Sequence, residues 1–565
     1  MGEIEKEVLR IGVFICHCGI NISGVVNVPE VVEYAKKLPD VVYSEDNLYT
    51  CSSQGLGKIK ESIKNYDLNR VVVASCTPRT HEPLFRSACE EAGVNKYLFE
   101  MANIRDQCSW VHMHMPKEAT EKAKDLIRMA VARARLLEPQ IEVEIDVEPS
   151  ALVIGGGIAG MNAALCLANR GFKVYLIERE PEAGGMLRKL YRMYPTGQTA
   201  SEVLEPIVTA VESHEKIELS TSTIIKTING FIGNFDIIAD RVGEEVKFKV
   251  GTIVVATGAV EYKPVGLYGY GKYEGVITQL QLEEMFRDGK LGKPEAVVMI
   301  LCVGAREPEG RTYCGRICCA TSISNALLIK RARPETDVYI LYRDLQAYGK
   351  EYEEYHRIAR EAGIKFINYT SDNPPKVLEE PSGKLKVKVY HALWYREIEI
   401  LCDLVVLSTP LVQHEHGEEL SRMLKVPLGP DGFFLEAHVK LKPVDFATDG
   451  IYVCGTAHSP KDVSESVMQA YAVASRASIP MAMGKVKSEA IIASVYEDKC
   501  MGCGLCKDVC KFGALVIEGM RAKVIEPLCK GCGVCATSCP SNSLIMKHFT
   551  DYQIIAQINA AFGGM

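Results

Sequence analysis

The sequence predicts an α/β fold of parallel sheets that ends in a small cysteine-rich module. Three observations predict it. A short apolar run, Ala151-Leu-Val-Ile154, leads into Gly155-x-Gly157-x-x-Gly160, then a helix-like stretch over 161–170, then a second apolar run over 173–177 that ends at Glu178. This is strand, glycine turn, helix and strand, the unit that builds parallel sheets. Residues 1–140 alternate β-rich runs, at 10–15 and 70–74, with helical ones such as the basic stretch 118–137. The last seventy residues carry one cysteine pattern twice, offset by 29 residues.

Composition bounds the rest. A chain of 565 residues holds roughly three or four domains. A hydrophobic fraction of 47% is ample for packed cores, and a net charge of −7 argues against nucleic acid or an anionic membrane as the main partner. Met-Gly-Glu-Ile-Glu-Lys-Glu-Val lacks the basic start and apolar run of an export signal. No stretch of 18 apolar residues appears, so no membrane span is expected. The 21 cysteines then point to metal-bound thiolates in a reducing cytoplasm rather than to disulfides.

Residues 1–140 form the first expected domain. Cys16-His17-Cys18-Gly19 follows the first strand, Cys51 follows Tyr49-Thr50, Cys76 ends the strand over 71–75, and Cys108 lies in Arg105-Asp-Gln-Cys-Ser-Trp110. Strand-end placement gathers cysteines at one edge, and a [4Fe–4S] cluster is expected on Cys18, Cys51, Cys76 and Cys108. Cys16 shares a side with Cys18 and is a possible substitute. His17, His81 and His112 read as surface or supporting groups rather than ligands. Cys89, Cys166, Cys402 and Cys454 sit in apolar contexts and read as core.

Residues 150–487 form the second expected domain. In its strand–turn–helix–strand setting the glycine motif is a dinucleotide fingerprint, with the helix N-terminus facing a pyrophosphate and Glu178 placed to accept from ribose hydroxyls. Three later features favour FAD over NAD: Gly184-Gly185-Met186-Leu187, Ala256-Thr257-Gly258 at a strand end, and Cys454-Gly455-Thr456-Ala457, which carries Thr where Asp is common. They resemble the motifs of thioredoxin-reductase-like proteins with two dinucleotide-binding folds. The expected cofactor residues are Gly155, Gly157, Gly160, Glu178, Gly185, Met186, Thr257, Gly258 and Gly455. A second nucleotide fold opens at the strand over 296–301, but Gly-x-Gly-x-x-Gly is missing. The loop instead reads Cys302-Val-Gly304-Ala-Arg306 and Tyr313-Cys314-Gly-Arg-Ile-Cys318-Cys319. A [4Fe–4S] cluster on Cys302, Cys314, Cys318 and Cys319 is expected beside the flavin, with a redox-active disulfide or inert thiols as alternatives.

Residues 488–548 are a bacterial-type 2[4Fe–4S] ferredoxin domain by spacing, and 549–565 a closing helix. In such paired runs the fourth cysteine of each ligates the other cluster. The expected sets are Cys500, Cys503, Cys506 and Cys539, and Cys529, Cys532, Cys535 and Cys510. Structural zinc is the alternative for C-x-x-C pairs. Pro540 follows the last cysteine as in bacterial ferredoxins, whereas Lys511 stands where Pro is usual after the first run. Four clusters are expected in all.

Taken in order, these motifs resemble the A subunits of the heterodisulfide reductases of methanogenic archaea. The resemblance rests on Cys-His-Cys-Gly, Ser-Cys-Thr-Pro-Arg-Thr-His-Glu-Pro-Leu-Phe, Gly-Gly-Gly-Ile-Ala-Gly-Met, Cys-Val-Gly-x-Arg, Tyr-Cys-x-x-x-Cys-Cys and the paired runs, and covers nearly the whole chain. It implies an oxidoreductase with FAD and several clusters, working in a complex with the B and C subunits of such reductases. A hydrogenase or formate dehydrogenase module would supply electrons, and the assembly would be a dimer of hetero-oligomers. It also implies electron bifurcation, in which one two-electron donor reduces both ferredoxin and the disulfide of coenzymes M and B. Two departures stand out. Larger members insert a further ferredoxin-like module in the FAD domain, whereas residues 231–258 run on without cysteines. Methanogen members also tend to carry a lysine near flavin N5, five residues after the Cys-Cys pair, where this chain has Ser324. A passive relay, or an NAD(P)H-dependent flavin oxidoreductase similar to glutamate synthase small subunits, is the competing reading.

Overall fold

The computed structural model describes residues 8–349, 351–391 and 394–563. The reading of the N-terminus as free of an export signal falls mostly on residues 1–7, outside those described. The closing helix is described over Asp551–Ala561. The chain divides into two compact units, Met1–Val143 with Lys487–Met565, and Glu144–Val486.

In the first unit, β1 (Ile11–Cys16), β2 (Val41–Asn47), β3 (Arg70–Ser75) and β4 (Phe99–Asn103) form a parallel sheet in the order β2-β1-β3-β4. Every residue of β1 and β3 is buried, as continuous Val/Ile runs covered on both faces require. Cys16 closes β1 and Cys76 follows β3, so both arrive at the carboxyl edge of the sheet. Helix α1 (Pro116–Ala134) packs on β3 and β4.

Residues 488–548, a separate domain in the sequence reading, pack into this same unit. Four contacts bind the carboxyl-terminal segment there. The Tyr97 hydroxyl lies 2.9 Å from Glu489 Oε1, and Arg133 donates to the His548 carbonyl oxygen. Arg128 Nε donates to Ala560 O at 2.6 Å, and Gln553 Nε2 to Leu136 O at 2.9 Å.

The second unit holds two parallel sheets. The first contains β5 (Ser150–Ile154), β6 (Lys173–Ile177), β7 (Ile217–Ser220), β8 (Thr252–Val255) and, from much later in the chain, Ile451–Val453 on the far side of β8. Helix α2 (Ile158–Asn169) joins β5 to β6. Thr223–Phe231, Asn234–Arg241 and Glu244–Val250 form an antiparallel meander that leads back into β8. The second sheet contains β9 (Val276–Thr278), β10 (Ala296–Ile300), β11 (Asp337–Tyr342), β12 (Lys365–Asn368) and β13 (Leu404–Leu407), in the order β9-β13-β10-β11-β12. Helix α3 (Cys318–Ala332) follows β10. Helix α4 (Val463–Met483) packs on α2, and its N-terminus is closed by a capping box between Asp462 and Glu465. Among the described residues no helix is long and apolar enough to cross a membrane.

Candidate functional site

The ends of β5, β8 and α4 enclose a cavity of about 650 Å³. Gly155, Gly157, Glu178, Gly185, Met186, Thr257 and Gly258 line it; the two remaining expected residues stand behind the wall. A Cβ on Gly160 would meet Gly155 O at 1.9 Å, so glycine here lets α2 sit against the loop. A Cβ on Gly455 would meet Ala159 Cβ at 2.7 Å. Gly184 N donates to Gly156 O at 2.8 Å, which lays the Gly185-Met186 turn beside the fingerprint loop. Glu178 is buried, and its Oε2 accepts from Gly156 N at 2.6 Å and its Oε1 from Glu180 N at 2.9 Å. These bonds fix the shape of the loop. A Cβ on Gly157 would meet nothing within 4 Å, so the space over the helix N-terminus is open, as a bound pyrophosphate needs. These residues fit FAD.

Cysteines stand at the carboxyl end of β10, where the second sheet would hold its own nucleotide. Burial pushes the Cys318 thiol well up, and Cys319, Cys302 and Cys314 push it further. Burial likewise raises Cys319 to about 11, and Cys302 and Cys314 act in the same sense. The four sulfurs therefore stand close enough to act on one another. Thiols held together in so apolar a place ionise only against a strong positive charge, which the iron of a cluster supplies. Arg306 bonds Cys302 and pairs with Asp344 at 2.6 Å. Cys318, Ile317 and Thr321 also line the flavin cavity.

The N-terminal sulfurs group differently from the expected set. Burial raises Cys76, Arg105 opposes it, and Cys18, Cys51 and Cys16 add to it. Cys51 feels Cys16, Cys18 and Arg105 in turn. Cys16 Sγ accepts from Cys18 N at 3.3 Å and Thr50 N at 3.4 Å, and Arg105 Nη1 reaches Cys18 Sγ at 3.5 Å. Cys108 does not join them. It lies fully buried in the π-helical turn Arg105–Ser109, and its Sγ donates to Ala119 O at 3.1 Å. The wide turn faces Arg105 to the sulfurs and rotates Cys108 onto α1. The set brought together is Cys16, Cys18, Cys51 and Cys76. His17 pairs with Asp46 at 2.6 Å.

In the tail the sulfurs gather in two crossed groups. Cys500, Cys503, Cys506 and Cys539 line one small pocket. Cys535, pushed up to about 11 chiefly by burial, also feels Cys529, Cys510 and Cys532. The C-x-Gly-Cys spacing has a steric cause, since a Cβ on Gly502 would meet Met520 O at 2.1 Å and one on Gly531 would meet Ile491 O at 2.4 Å. Burial pushes Cys539 up, but hydrogen bonds from Ser543 and Ser541 outweigh it and bring the thiol to about 6. Cys89, Cys402 and Cys454 are buried and pushed up to about 12, chiefly by burial.

Residues 149–470 match the pyridine nucleotide-disulphide oxidoreductase family, and residues 493–516 and 526–547 match 4Fe-4S binding domains. The chain is 42% identical to the A subunit of the H(2):CoB-CoM heterodisulfide,ferredoxin reductase of Methanothermobacter thermautotrophicus over 99% of both chains. It is 42% identical to the first iron-sulfur A subunit of the CoB--CoM heterodisulfide reductase of Methanopyrus kandleri, over 90% of this chain and 91% of that one. The chain belongs to the family of heterodisulfide reductase A subunits. It is accordingly an oxidoreductase, a FAD flavoprotein with 4Fe–4S ferredoxin-type domains. Among solved structures, the thioredoxin reductase of Lactococcus lactis is similar at a TM-score of 0.43 and 19% identity, covering 60% of this chain and all of that one.

Among heterodisulfide reductase A subunits this chain is short. Its alignment with the Methanothermobacter relative runs to 656 positions, so that relative carries residues this chain lacks. Ser324 is buried on α3 and does not line the cavity. Lys461 does line it, and is 7% exposed. Sequence reasoning missed Lys461 and Arg105. Neither belongs to a motif, and the signal available was only that each stands within three residues of one that does.

Proposed function

We propose that this protein is the flavin-bearing electron hub of a heterodisulfide-reductase-type complex. FAD in the cavity accepts electron pairs and passes single electrons to [4Fe–4S] clusters. The observation that carries this is the position of Cys318, which belongs at once to the sulfur group at β10 and to the lining of the flavin cavity. A cluster on Cys302, Cys314, Cys318 and Cys319 would stand directly against the flavin, in the place where a pyridine nucleotide enters the relatives of the fold. The chain's residues do the holding. The glycine loop and the α2 N-terminus take the pyrophosphate, Glu178 fixes the loop, and Arg306 sets the field at Cys302.

The tail clusters, on Cys500, Cys503, Cys506 and Cys539 and on Cys529, Cys532, Cys535 and Cys510, exchange electrons with a hydrogenase or formate dehydrogenase module and with ferredoxin. The N-terminal cluster, on Cys16, Cys18, Cys51 and Cys76, serves the C subunit of the complex and, beyond it, the B subunit, which reduces the CoM–CoB heterodisulfide. Exposed Ile20, Leu48 and Tyr49 lie within three residues of these cysteines in the chain, and exposed Trp110 stacks under Arg105, apolar surface suited to a covering partner. The complex works in the cytoplasm and splits each electron pair between ferredoxin and heterodisulfide. A relay that does not bifurcate is the second reading, favoured by Ser324 in place of the lysine.

The purified chain decides between this hub and a nucleotide-dependent oxidoreductase. The hub contains about sixteen irons and one FAD per chain, and its flavin bleaches with reduced ferredoxin but not with NADPH. Rapid bleaching by NADPH would overturn the proposal. With the B and C subunits added, strict coupling of ferredoxin reduction to heterodisulfide reduction separates bifurcation from the plain relay.

A further inference from the structure

We infer that Lys461 supplies the positive charge that the flavin ring meets in this chain. The inference rests on the reading of the cavity as the FAD site.

The cavity has two distinguishable ends. Glu178 and the glycine loop mark the end that takes the ribose and pyrophosphate. Cys318 and Thr321 mark the other, where the ring must lie if it is to exchange electrons with a cluster. The segment that carries Lys461 is tied to this second end. Arg316, two residues before Cys318, donates through Nη1 to Pro460 O at 3.0 Å and pairs with Glu465 at 2.5 Å, which ties the Lys461 segment to the cysteine loop.

The ammonium group is built in. Lys461 Nζ donates to Gly455 O at 2.9 Å, Ser459 O at 3.1 Å and Ser459 Oγ at 3.0 Å. His458 stands behind it. Gln469 Nε2 donates to His458 Nδ1 at 2.9 Å, so the ring proton sits on Nε2 and points to Glu436 Oε2 at 2.8 Å. Burial lowers His458, so the ring is neutral and adds no cation of its own. The other cations of the wall, Arg179, Arg188, Lys189 and Arg192, are not buried. Burial, then the charge of Arg316, lowers Lys461 to about 8 against the pull of Glu465, Cys454 and Glu436, so it is mostly charged at neutral pH. A buried cation beside the ring favours its electron-rich forms, because little solvent screens it.

Sulfite tests this directly. It adds reversibly to oxidised flavin through an S–N bond, and the adduct places negative charge on the ring. The holoprotein is titrated with sulfite and its flavin potential measured, for wild type, Lys461→Gln, Lys461→Arg and Glu436→Gln. FAD content is determined first. Lys461→Gln is expected to weaken sulfite binding about tenfold or more and to lower the two-electron potential by the ~30 mV that a tenfold change represents. Lys461→Arg should retain both values. Glu436→Gln, which removes a negative charge and leaves Lys461 in place, should shift both the opposite way, and it decides the matter if Lys461→Gln is isolated without flavin. FAD in every variant with unchanged sulfite affinity and potential overturns the inference. Wild-type protein that binds no FAD overturns instead the reading on which it rests.

Discussion

Cys108 Sγ donates to the carbonyl oxygen of Ala119 at 3.1 Å, turned away from the other N-terminal sulfurs. No other cysteine acts on Cys108, whereas Cys16, Cys18, Cys51 and Cys76 act on one another, so Cys16 stands where a fourth ligand is needed. Cys16→Ser should therefore cost about four irons per chain, the content of one cubane cluster, while Cys108→Ala keeps them all. Iron and labile-sulfide analysis of the two variants checks this. Loss of iron in Cys108→Ala alone would restore the sequence-based ligand set.

What the sequence revealed here follows from range. The dinucleotide loop is legible because strand, glycines and helix are consecutive, and Gly160 answers to Gly155 only five residues away, although Gly155 itself answers to Ala256 from a distant strand. The crossed sulfur groups of the tail are legible because spacing alone dictates which turn each cysteine occupies. The Cys302–Cys319 group is legible by substitution, since cysteines stand where a phosphate loop belongs. The N-terminal set was left with Cys16 as a substitute because its fourth member depends on the rotation of one π-helical turn, which no spacing rule records. Lys461 was invisible because its setting comes from Arg316 and Glu436, which fold onto it from elsewhere along the chain. The grouping of the tail with the N-terminal sheet was equally hidden, being made by single contacts such as Arg133 with His548.

Two glycines of the fingerprint make opposite predictions. A Cβ on Gly160 would stand 1.9 Å from Gly155 O, so Gly160→Ala forces α2 from the loop and should abolish flavin binding with a loss of stability. A Cβ on Gly157 meets no protein atom within 4 Å, so Gly157→Ala should fold normally and melt like wild type. It should still bind FAD at least tenfold more weakly, because the methyl enters space that only the pyrophosphate uses. Flavin absorbance and thermal melting of apo and loaded protein distinguish the two. Undiminished FAD affinity in Gly157→Ala would contradict the proposed pose.

Arg133 holds the first unit together at a point where burial makes it costly to lose. It pairs with Glu100, donates to the His548 carbonyl and lies 4.3 Å from the Phe549 ring centroid. The Glu100 side chain is 11% exposed, and burial raises its carboxyl to about 7 against the pull of Arg133. Arg133→Met strands that carboxyl and frees the carboxyl-terminal segment. Removing one partner of a buried pair costs about 3–5 kcal/mol, and denaturant unfolding followed by far-UV circular dichroism should show a loss of that size. Replacing both partners, Arg133→Met with Glu100→Leu, should recover part of it. A single-variant loss below about 1 kcal/mol, the scale of an exposed pair, would mean that the pair is solvated.

His548 gives the unit an acid-sensitive joint. Its ring is buried between Tyr97 and Phe549, with Nδ1 unpartnered. Burial, then the charges of Arg133 and Arg86, lower it from 6.5 to about 3. The unfolded chain therefore binds a proton between those two values while the folded chain does not. Stability from this group is complete above pH 6.5 and is lost as pH falls toward 3, at up to 1.36 kcal/mol per pH unit. His548→Phe, which keeps a flat ring between the same neighbours, removes the proton site. At pH 7.5 the variant should match wild type within about 0.5 kcal/mol; at pH 5 it should be more stable by roughly 2 kcal/mol. Acid lability of the clusters is common to both proteins and cancels in the difference. A stability gap that does not widen between pH 7.5 and pH 5 would show that His548 is protonated in the folded unit.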